Sequence, residues 1–500
     1  MTRRAAFWIA ILFAPPLSLI PVWLRTDWGM VKKLAGTVAI LLLCVAYLFL
    51  VFGMRLQTEG TGLPTIVTFE SGEDRYRAVE EDRARQKESP PPPVTARMEP
   101  DVPSPEVEDV DLPVPDSPPE PWVEFRGRGR AGSYAGPIRT DWESGLDPIW
   151  RQPAGGGYAS FSIAEGRAFT IEQRHDEEVV AAYDVQTGRE LWTHAWPAHF
   201  QEMLGGDGPR ATPAWRGGYL YALGAMGELR KLDAATGGLV WRKNILEEAG
   251  AANLTWGMAA SPLVVDGMVI VLPGGRGASV VAYDAETGAP LWRALDDKAA
   301  YAAPMIGEVA GERQLLVVSA LRLMGLRIES GKLLWEFPWT TSNDINVAQP
   351  LVVDESQVFI SAGYGHGAAL IEVSAQKGYE IRVVWENVSM KNKFTSSVLH
   401  EGYIYGLDEA ILACIDARTG ERKWKGGRYG YGQLLLASGH LVVLTEGGDL
   451  ALVRATPEKF DERARIPAIE GKTWNHPAIA DGILLVRNLR EMAAFDLRPR

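Results

Sequence analysis

Cysteine is nearly absent from this chain of 500 residues, in which only Cys44 and Cys414 occur. Cys44 lies within a long apolar run and Cys414 within a short apolar strand, so the two thiols are not expected to meet in a disulfide. No Cys-x-x-Cys-His sequence is present, which argues against covalently attached haem. No pair of histidines has zinc-ligand spacing, and no serine lies in a nucleophile-elbow motif.

The chain also lacks an excess of basic residues. It contains 63 Asp and Glu against 51 Lys and Arg, which gives a formal net charge of −12. A surface with this balance repels the phosphate backbone of DNA and RNA. Nucleic acid is therefore excluded as a general partner.

A repeated tag with the pattern Asp-x-x-Thr-Gly-x-x-x-Trp is the most informative feature that is present. Four clear copies read DVQTGRELW (184–192), DAATGGLVW (233–241), DAETGAPLW (284–292) and DARTGERKW (416–424). Weaker copies lie at 326–335 and 370–385. A unit that recurs roughly every 40–50 residues is typical of propellers and solenoids.

Each tag follows short runs of Val, Leu and Ile that are separated by Gly, Asp and Pro, as in residues 261–288. This punctuation predicts four antiparallel strands per unit, which is one propeller blade. Within the tag, the Asp can cap the turn, the Gly can adopt positive φ, and the Trp can pack against the neighbouring blade. We therefore assign a structural docking role to the tag tryptophans, which are Trp150, Trp192, Trp241, Trp292, Trp335, Trp385 and Trp424.

Eight units can be counted from the strands that open them, which begin near Ala159, Ala211, Ser261, Ala303, Gln349, Ser396, Gln433 and His476. The last unit ends after three strands and lacks a Trp-bearing fourth. Residues 147–153 are predicted to supply that strand and close the ring, because closure removes free sheet edges. The expected fold is all-β, an eight-bladed propeller of four-stranded antiparallel blades over about 145–500. Its seventh unit is the most divergent, since it has lost its Trp.

The N-terminal part of the chain is predicted to enter a membrane. Residues 34–54 contain no charge over 21 positions, which is enough to span a bilayer. Residues 5–24 are also apolar but contain three prolines, so they form either a kinked span or a re-entrant hairpin. Basic residues between the two segments favour a cytoplasmic connection, which directs the later chain to the periplasm from a bacterial inner membrane. If both segments span with an internal N-terminus, the later chain is cytoplasmic instead.

Residues 57–120 are predicted to link the anchor to the propeller. Residues 76–88 can form a short charged helix, and residues 91–122 are acidic and rich in proline. Such a composition cannot form a core and predicts an extended spacer that holds the propeller away from the membrane. The predicted domains are a membrane anchor (1–56), a linker (57–120) and a propeller domain (121–500).

The tag resembles the tryptophan-docking repeat of the pyrroloquinoline quinone (PQQ) propellers. Residues 121–134, PWVEFRGRGRAGSY, are also similar to the lead-in of bacterial PQQ-like repeat proteins. The resemblance covers about 120–500 and implies an eight-bladed propeller. It leaves two functional classes open, because the superfamily contains quinoprotein alcohol dehydrogenases and also a non-enzymatic propeller lipoprotein of the outer-membrane β-barrel assembly machine.

The resemblance also implies what an enzyme of this family would contain. In the dehydrogenases PQQ lies over the axis, Ca²⁺ held by Glu, Asn and Asp oxygens polarises the quinone, and an Asp acts as base. Many members stack PQQ against a disulfide between adjacent cysteines, and this chain has no adjacent cysteine pair. The resemblance therefore permits PQQ with Ca²⁺ as a cofactor but assigns no catalytic or metal-binding residue here.

The loops that lead into the innermost strands are expected to converge near the axis on one face. They carry the candidate site residues, which are Arg210, Trp256, Asn346, Lys391, Lys393, Arg428, Tyr429, Tyr431, Trp474, Asn475 and His476. Aromatic, basic and amide groups together suit a planar polyanion such as PQQ. They equally suit a protein-binding hot spot, or they line a solvated channel and pin adjacent loops.

Two functions follow from these observations. The favoured one is a membrane-anchored, extracytoplasmic propeller that binds envelope proteins, since the chain has an anchor and a spacer and lacks the redox cysteines. The alternative is a PQQ-dependent dehydrogenase that oxidises alcohols or sugars.

Overall fold

The computed structural model describes residues 19–24, 27–50, 55–58, 64–68, 72–88, 121–142, 145–202, 204–376 and 378–499. The chain divides into two compact units, Met1–Arg75 and Tyr76–Arg500. Most of the apolar segment predicted at 5–24, and residues 91–120 of the predicted spacer, lie outside the described residues.

The first unit contains α1 (Leu19–Leu24), α2 (Met30–Leu50) and a hairpin of β1 (Arg55–Thr58) and β2 (Pro64–Thr68). Most side chains of α2 are exposed, and its only charges are the two lysines of its first turn. Among the described residues it is the one helix long and apolar enough to cross a membrane. The predicted span at 34–54 lies mainly on α2, and its residues 51–54 fall outside the described residues.

The second unit contains a ring of eight blades, each built on four antiparallel strands. Blade 1 consists of β5 (Ser162–Ala164), β6 (Arg167–Arg174), β7 (Glu177–Asp184) and β8 (Glu190–Pro197), and blade 2 of β11 (Ala214–Arg216), β12 (Tyr219–Leu223), β13 (Glu228–Asp233) and β14 (Leu239–Asn244). Blade 3 consists of β15 (Leu263–Val265), β16 (Met268–Val271), β17 (Val280–Asp284) and β18 (Pro290–Ala294), and blade 4 of β19 (Met305–Val309), β20 (Glu312–Val318), β21 (Arg322–Leu326) and β22 (Leu333–Pro338). Blade 5 consists of β23 (Leu351–Val352), β24 (Gln357–Ala362), β25 (Gly367–Ser374) and β26 (Glu380–Asn387), and blade 6 of β27 (Val398–His400), β28 (Tyr403–Asp408), β29 (Ile411–Asp416) and β30 (Arg422–Arg428). Blade 7 consists of β31 (Gln433–Ala437), β32 (His440–Leu444), β33 (Asp449–Arg454) and β34 (Glu462–Pro467), and blade 8 of β35 (Ala478–Ala480), β36 (Ile483–Arg487), β37 (Glu491–Asp496) and β4 (Pro148–Pro153).

Short elements complete this unit. They are α3 (Gly72–Glu88), most of which belongs to the second unit, α4 (Ile245–Ala249), the strands β3 (Ser133–Tyr134), β9 (Gln201–Glu202) and β10 (Gly206–Asp207), and single 3₁₀ turns at Arg128–Arg130 and Ser342–Asp344.

The predicted fold and its ring closure are confirmed. β4 pairs antiparallel with β37, which places Trp150 opposite Ala494 and completes blade 8 with a strand from before blade 1. The divergent seventh unit forms all four of its strands. It also gains a fifth, because β3 pairs in parallel with β31.

The tag turn explains how one blade docks on the next. Asp184 Oδ1 accepts hydrogen bonds from the amide (2.8 Å) and hydroxyl (2.7 Å) of Thr187, which fixes the turn. Gly188 has a φ of 72° and lies under the Trp150 indole, so closely that a Cβ would be 2.6 Å from the ring. Trp150 Nε1 then donates to Val185 O (2.9 Å). Glycine is required here both for its backbone conformation and for its missing side chain.

Trp335 departs from this pattern. It packs in the apolar cluster between blades 4 and 5, but its Nε1 donates to Gln314 Oε1 (2.6 Å) within its own blade. Blade 5 carries Ser-Ala-Gln-Lys-Gly in place of Asp-x-x-Thr-Gly. Because the capping Asp and Thr are missing, the usual turn is not available to Trp335.

The hydrophobic core lies between neighbouring blades. The two middle strands of blade 1 are buried along almost their whole length. Phe169 and Val180 of this blade pack against Leu220 and Leu232 of blade 2. Continuous apolar runs, rather than strictly alternating ones, are expected for strands that are covered on both faces.

Candidate functional site

The ring has two faces that the hydrogen bonds distinguish. The turn between the first and second strands of each blade lies beside the tag turn, as shown by the bonds from Val185 N to Gly166 O (3.1 Å) and from Ala285 N to Gly267 O (2.8 Å). We call this side the tag face. The loops that lead into the innermost strands lie at the other end of those strands, and we call that side the mouth face.

At the tag face the axis is filled by residues 121–134, which we call the plug. Four main-chain amides of the blades donate to it, those of Ile163 (2.7 Å), Trp215 (2.7 Å), Leu436 (2.8 Å) and Gly482 (3.0 Å). These donors belong to blades 1, 2, 7 and 8. The lead-in motif is therefore an internal part of the propeller.

Arg130 extends the plug to blades 3 and 4. Its guanidinium is buried and donates to Glu124 Oε2 (3.0 Å), Pro262 O (2.6 Å) and Pro304 O (2.8 Å). Burial lowers the pKa of Arg130, and Glu124 opposes that shift. The pair compensates a buried charge and joins two blades where their lead-in loops enter the inner strands β15 and β19.

Arg126 extends the plug to blades 5 and 6. Its guanidinium donates to Ser397 O (2.8 Å) and has Gln349 Oε1 at 3.5 Å. Burial lowers the pKa of Arg126 to about 9. The backbone of Gly132 packs directly on the guanidinium, where a Cβ would overlap it. Through its two arginines, its backbone and the Tyr134 hydroxyl, the plug thus contacts every blade.

His476 lies against the plug. Its ring is 6.2 Å from that of Trp122 and 5.8 Å from that of Phe125. Burial, together with the nearby Arg126 charge, lowers the pKa of His476 to about 3. The imidazole is therefore neutral at physiological pH and serves as a packing group.

At the mouth face seven aromatic side chains form what we call the collar, namely Tyr158, Trp256, Tyr301, Tyr364, Phe394, Tyr431 and Trp474. The Trp474 ring lies 4.6 Å from that of Phe394 and 5.2 Å from that of Tyr158. Phe394 lies 5.5 Å from Tyr431, and Trp256 lies 5.7 Å from Tyr301. Because these residues come from different blades, their contacts narrow the mouth of the axis.

Three cations lie over collar rings. Lys472 Nζ is 3.9 Å from the centre of Trp474, and Lys393 Nζ is 4.5 Å from that of Tyr431. Arg210 lies 5.7 Å from Tyr158. These are cation–π distances, and such contacts hold both partners in place.

The Glu446 carboxylate connects two residues of the collar. Glu446 accepts from Trp474 Nε1 (2.8 Å) and from the amide of Tyr431 (3.1 Å). Burial lowers the pKa of Lys472 to about 8 and also lowers that of Lys393, although Glu446 opposes both shifts. The ammonium groups are therefore poorly hydrated, which strengthens any contact that they make with an incoming acceptor.

The β9–β10 hairpin lies beside the collar. Lys472 Nζ donates to Leu204 O (3.2 Å) at its tip, and the backbone of Gly205 packs on Trp256. The Leu204 side chain is 42% exposed. The tip of this hairpin thus places an exposed apolar side chain beside the aromatic rings of the collar.

Five of the residues singled out in the sequence come together at the mouth, which are Arg210, Trp256, Lys393, Tyr431 and Trp474. Lys391 also comes from a mouth-face loop, but its Nζ forms an ion pair with buried Asp408 (2.5 Å).

The other candidate residues do not join the collar. Asn346 and Asn475 are buried, and their amides donate to loop carbonyls, those of Ser319 (2.9 Å), Trp339 (3.0 Å), Gly157 (3.1 Å) and Ala159 (2.9 Å). His476 lies below the mouth, against the plug. Tyr429 is buried against Glu462 and Phe460, away from the collar. Arg428 is exposed at the end of β30.

Four collar residues were not singled out from the sequence, which are Tyr158, Tyr301, Tyr364 and Phe394, and neither was Lys472, whose ammonium lies over Trp474. Phe394 and Lys472 lie in the same lead-in loops as residues that were singled out, whereas Tyr158 and Tyr301 lie in the lead-in loops of blades 1 and 4, from which none was. An aromatic or basic residue shortly before an inner strand was the available signal. Tyr364 belongs instead to the loop between the second and third strands of blade 5, which reaches the same face.

The collar does not supply the donor set of a Ca²⁺-bound quinone. Among the described residues no group of three or more His, Cys, Asp or Glu side chains is arranged to hold a metal ion. Cys414 is buried in β29 and has no cysteine beside it in the chain.

Comparisons with known proteins agree with this architecture. Residues 176–426 match the family model of PQQ-like repeats that is described as outer membrane protein assembly factor BamB. The quinohemoprotein alcohol dehydrogenase of Comamonas testosteroni is 36% identical over 127 residues, which is 23% of this chain and 17% of that enzyme. The outer membrane protein assembly factor BamB of Shewanella oneidensis is 25% identical over 206 residues, which is 40% of this chain and 50% of that protein.

The chain thus spans half or less of the length of these curated relatives. Among solved structures, a europium-containing methanol dehydrogenase superimposes with a TM-score of 0.59 at 13% identity. That superposition covers 76% of this chain and 99% of the other. At this identity the likeness concerns the fold alone.

Proposed function

This chain belongs to the PQQ-like propeller family whose model is described as outer membrane protein assembly factor BamB, and from this premise we propose that it is a membrane-anchored, extracytoplasmic propeller that binds protein partners of the cell envelope. Residues 176–426 carry the family match. The proposed binding surface is the collar with the β9–β10 hairpin.

The collar is the observation that carries this proposal. Tryptophan, tyrosine and arginine are the residues most enriched at protein-binding hot spots, and the mouth combines all three. Tyr364 and Leu204 are 38% and 42% exposed there. The backbone of the plug binds the blades at the other end of the axis, so the mouth face is the end at which we propose that a partner binds.

The anchor is proposed to be α2. It is 21 residues long, apolar and exposed along its length. Lys32 and Lys33 at its start, with Arg25 just before, favour a cytoplasmic N-terminal end. The propeller would then face the periplasm from a bacterial inner membrane.

Site-specific photo-crosslinking in cells tests the proposed surface. A photoreactive amino acid at Leu204 should yield a discrete adduct with an envelope protein, and Trp256→Ala should abolish that adduct. The same group at Leu291, 51% exposed on the outer strand of blade 3, should not yield it. Identical adducts at both positions, or an adduct that survives Trp256→Ala, would count against the collar.

A PQQ-dependent dehydrogenase is the second candidate, and the 36% identity to the Comamonas testosteroni enzyme favours it. Calorimetry with PQQ and Ca²⁺ on the purified chain separates the two candidates. The binding proposal expects no saturable heat and no oxidation of alcohols or sugars. Oxidation that depends on added PQQ would replace it.

A further inference from the structure

The helix α3 packs on the propeller, although its sequence lies within the predicted linker. Tyr76, Val79 and Arg83 form its covered face and are 2%, 0% and 4% exposed. The remaining positions are mainly charged and exposed, as in GEDRYRAVEEDRARQKE. One buried stripe on an otherwise polar helix indicates a specific docked face.

This face meets the seam at which the ring closes. Arg83 Nη2 donates to Pro153 O (2.8 Å) and Gln86 Nε2 donates to Gln152 Oε1 (2.8 Å), both on the closing strand β4. Glu190 of β8, in blade 1, donates its amide to Gln86 Oε1 (3.0 Å). The helix therefore holds one strand from each side of the seam.

Arg83 also completes a buried charge cluster in this seam. Its guanidinium lies 5.2 Å from the Tyr183 ring and 3.4 Å from Glu190 Oε2. Burial opposes ionisation of the neighbouring Glu172, but the cations of Arg174, Arg487 and Arg83 outweigh it and lower the Glu172 pKa to about 2. Removing Arg83 would leave the carboxylates of this cluster less compensated.

The other end of α3 is held as well. The Tyr76 ring lies 5.4 Å from that of His175, whose Nε2 is 3.0 Å from Glu80 Oε1. The docked face thus extends from Tyr76 to Gln86.

We propose that α3 is a non-covalent anchor of the propeller, so that the chain is already held on the propeller before residue 89 and is held there again from residue 121. The first attachment is α3 at the seam of blades 8 and 1, and the second is the plug, which contacts every blade. The connection between the apolar helix and the propeller is then residues 51–71. The docking of α3 on blades 8 and 1 does not depend on the proposed partner binding.

Cutting the chain between α3 and the plug tests whether α3 stays bound to the propeller without a covalent connection. A specific protease site is inserted after Pro105 in the full-length chain, which carries an affinity tag at its C-terminus and is kept in detergent. After complete cleavage at tens of micromolar protein, the fragment that contains α3 should remain on the column with the propeller. Recovery of that fragment in the wash would overturn the proposal. If α2 is removed by processing in the cell, the fragment still contains α3 and the result keeps its meaning.

Two variants define the expected contacts. Arg83→Ala combined with Val79→Asp should release the cut fragment at least about tenfold faster, because it removes the seam contacts and places a charge in the covered face. Arg85→Ala changes an arginine two positions away whose side chain is 65% exposed, and it should retain the fragment. Equal release by both variants would contradict the proposed face.

Cross-linking of the uncut chain provides a second measurement. Gln86→Cys with Gln152→Cys should be joined by a short bis-maleimide, because these two side chains are in contact. Gln86→Cys with Lys423→Cys, on the outer strand of blade 6, should not be joined. No preference for the first pair would overturn the docking of α3 even if the propeller remains folded.

Discussion

At the tag face the propeller axis is filled by the chain itself, whereas at the mouth face it ends in partly exposed aromatic rings and poorly hydrated cations. The plug places Arg126 and Arg130 on carbonyl groups of the blades, and each bond joins parts of one chain. The collar holds its cations over rings, where an incoming group can still compete for them. One end of the axis therefore holds the ring together, and the other is the end at which we propose that a partner binds.

Removal of Arg130 should show the largest effect and would separate the two ends most clearly. Arg130→Ala leaves Glu124 buried without its cation and removes the hydrogen bonds to the carbonyl groups of Ser261, Pro262 and Pro304, so the free energy of unfolding should fall by about 3–5 kcal/mol. Denaturant unfolding followed by tryptophan fluorescence measures it. Arg128→Ala, at an exposed plug position, should change stability by no more than about 0.5 kcal/mol. A similar loss in both variants would show that the plug does not act through its buried arginine.

Acid should weaken the plug end. The pKa of His476 is about 3 in the folded chain against 6.5 in the unfolded chain, so its neutral form contributes stability above pH 6.5 that is lost as the pH falls toward 3. Between pH 7 and pH 4 the loss from this one group should be about 3 kcal/mol. Comparing the unfolding free energy of the wild type with that of His476→Gln at both pH values isolates it. Parallel pH profiles for the two proteins would contradict the assigned burial.

Alkali should act on the collar end in the opposite sense. The pKa of Lys472 is about 8 when folded against 10.5 when unfolded, so its charged form opposes folding at pH 7. That opposition is relieved as the pH rises from 8 toward 10.5, and by pH 9.5 the gain should be about 2 kcal/mol. Lys472→Met should be insensitive over this range. A wild-type protein that loses stability relative to Lys472→Met would reverse the sign and contradict the prediction.

The smallest stability effect is expected for the outermost collar ring. Tyr364→Ala should lower the unfolding free energy by only about 1 kcal/mol, because the side chain is already 38% exposed. It should nevertheless reduce the Leu204 photo-adduct at least fivefold, since aromatic truncation at a hot spot costs about 1–2 kcal/mol of binding free energy or more. Leu291→Ala is the matched exposed control and should leave the adduct unchanged. An equal reduction of the adduct by both variants would show that the collar does not bind the partner more specifically than the outer strand of blade 3 does.

The fold was predictable from the sequence because the tag repeats and each of its residues has a mechanical role. Asp184, Thr187 and Gly188 act within one turn, and Trp150 acts on the adjacent turn, so a local pattern reports the contact between blades. The ring closure followed from a missing strand at one end and a spare strand at the other. The degenerate tag of blade 5 did not reveal that Trp335 bonds to Gln314 instead.

The candidate site was only partly predictable. Loop composition identified Arg210, Trp256 and Trp474. It could not show that the side chains of Asn475 and His476 are buried, because the residue types in a loop do not reveal the direction in which each side chain points. The plug could not be recognised as an axial element, since its partners lie on all eight blades and are far apart in sequence. The docking of α3 was hidden for a related reason, because a helix with few apolar residues has a weak periodic signal.

The pairing of β4 with β37 has a consequence for the synthesis of the protein. At about 5–20 residues per second, the roughly 340 residues between Pro153 and Glu491 take about 20–70 s to be made. Throughout this time β4 has been produced but has no neighbouring strand, and such an unpaired strand is prone to wrong association. Blade 8 can form only when the C-terminal strands arrive, so a chain that stops even one strand early cannot complete the ring and becomes a natural substrate for quality control.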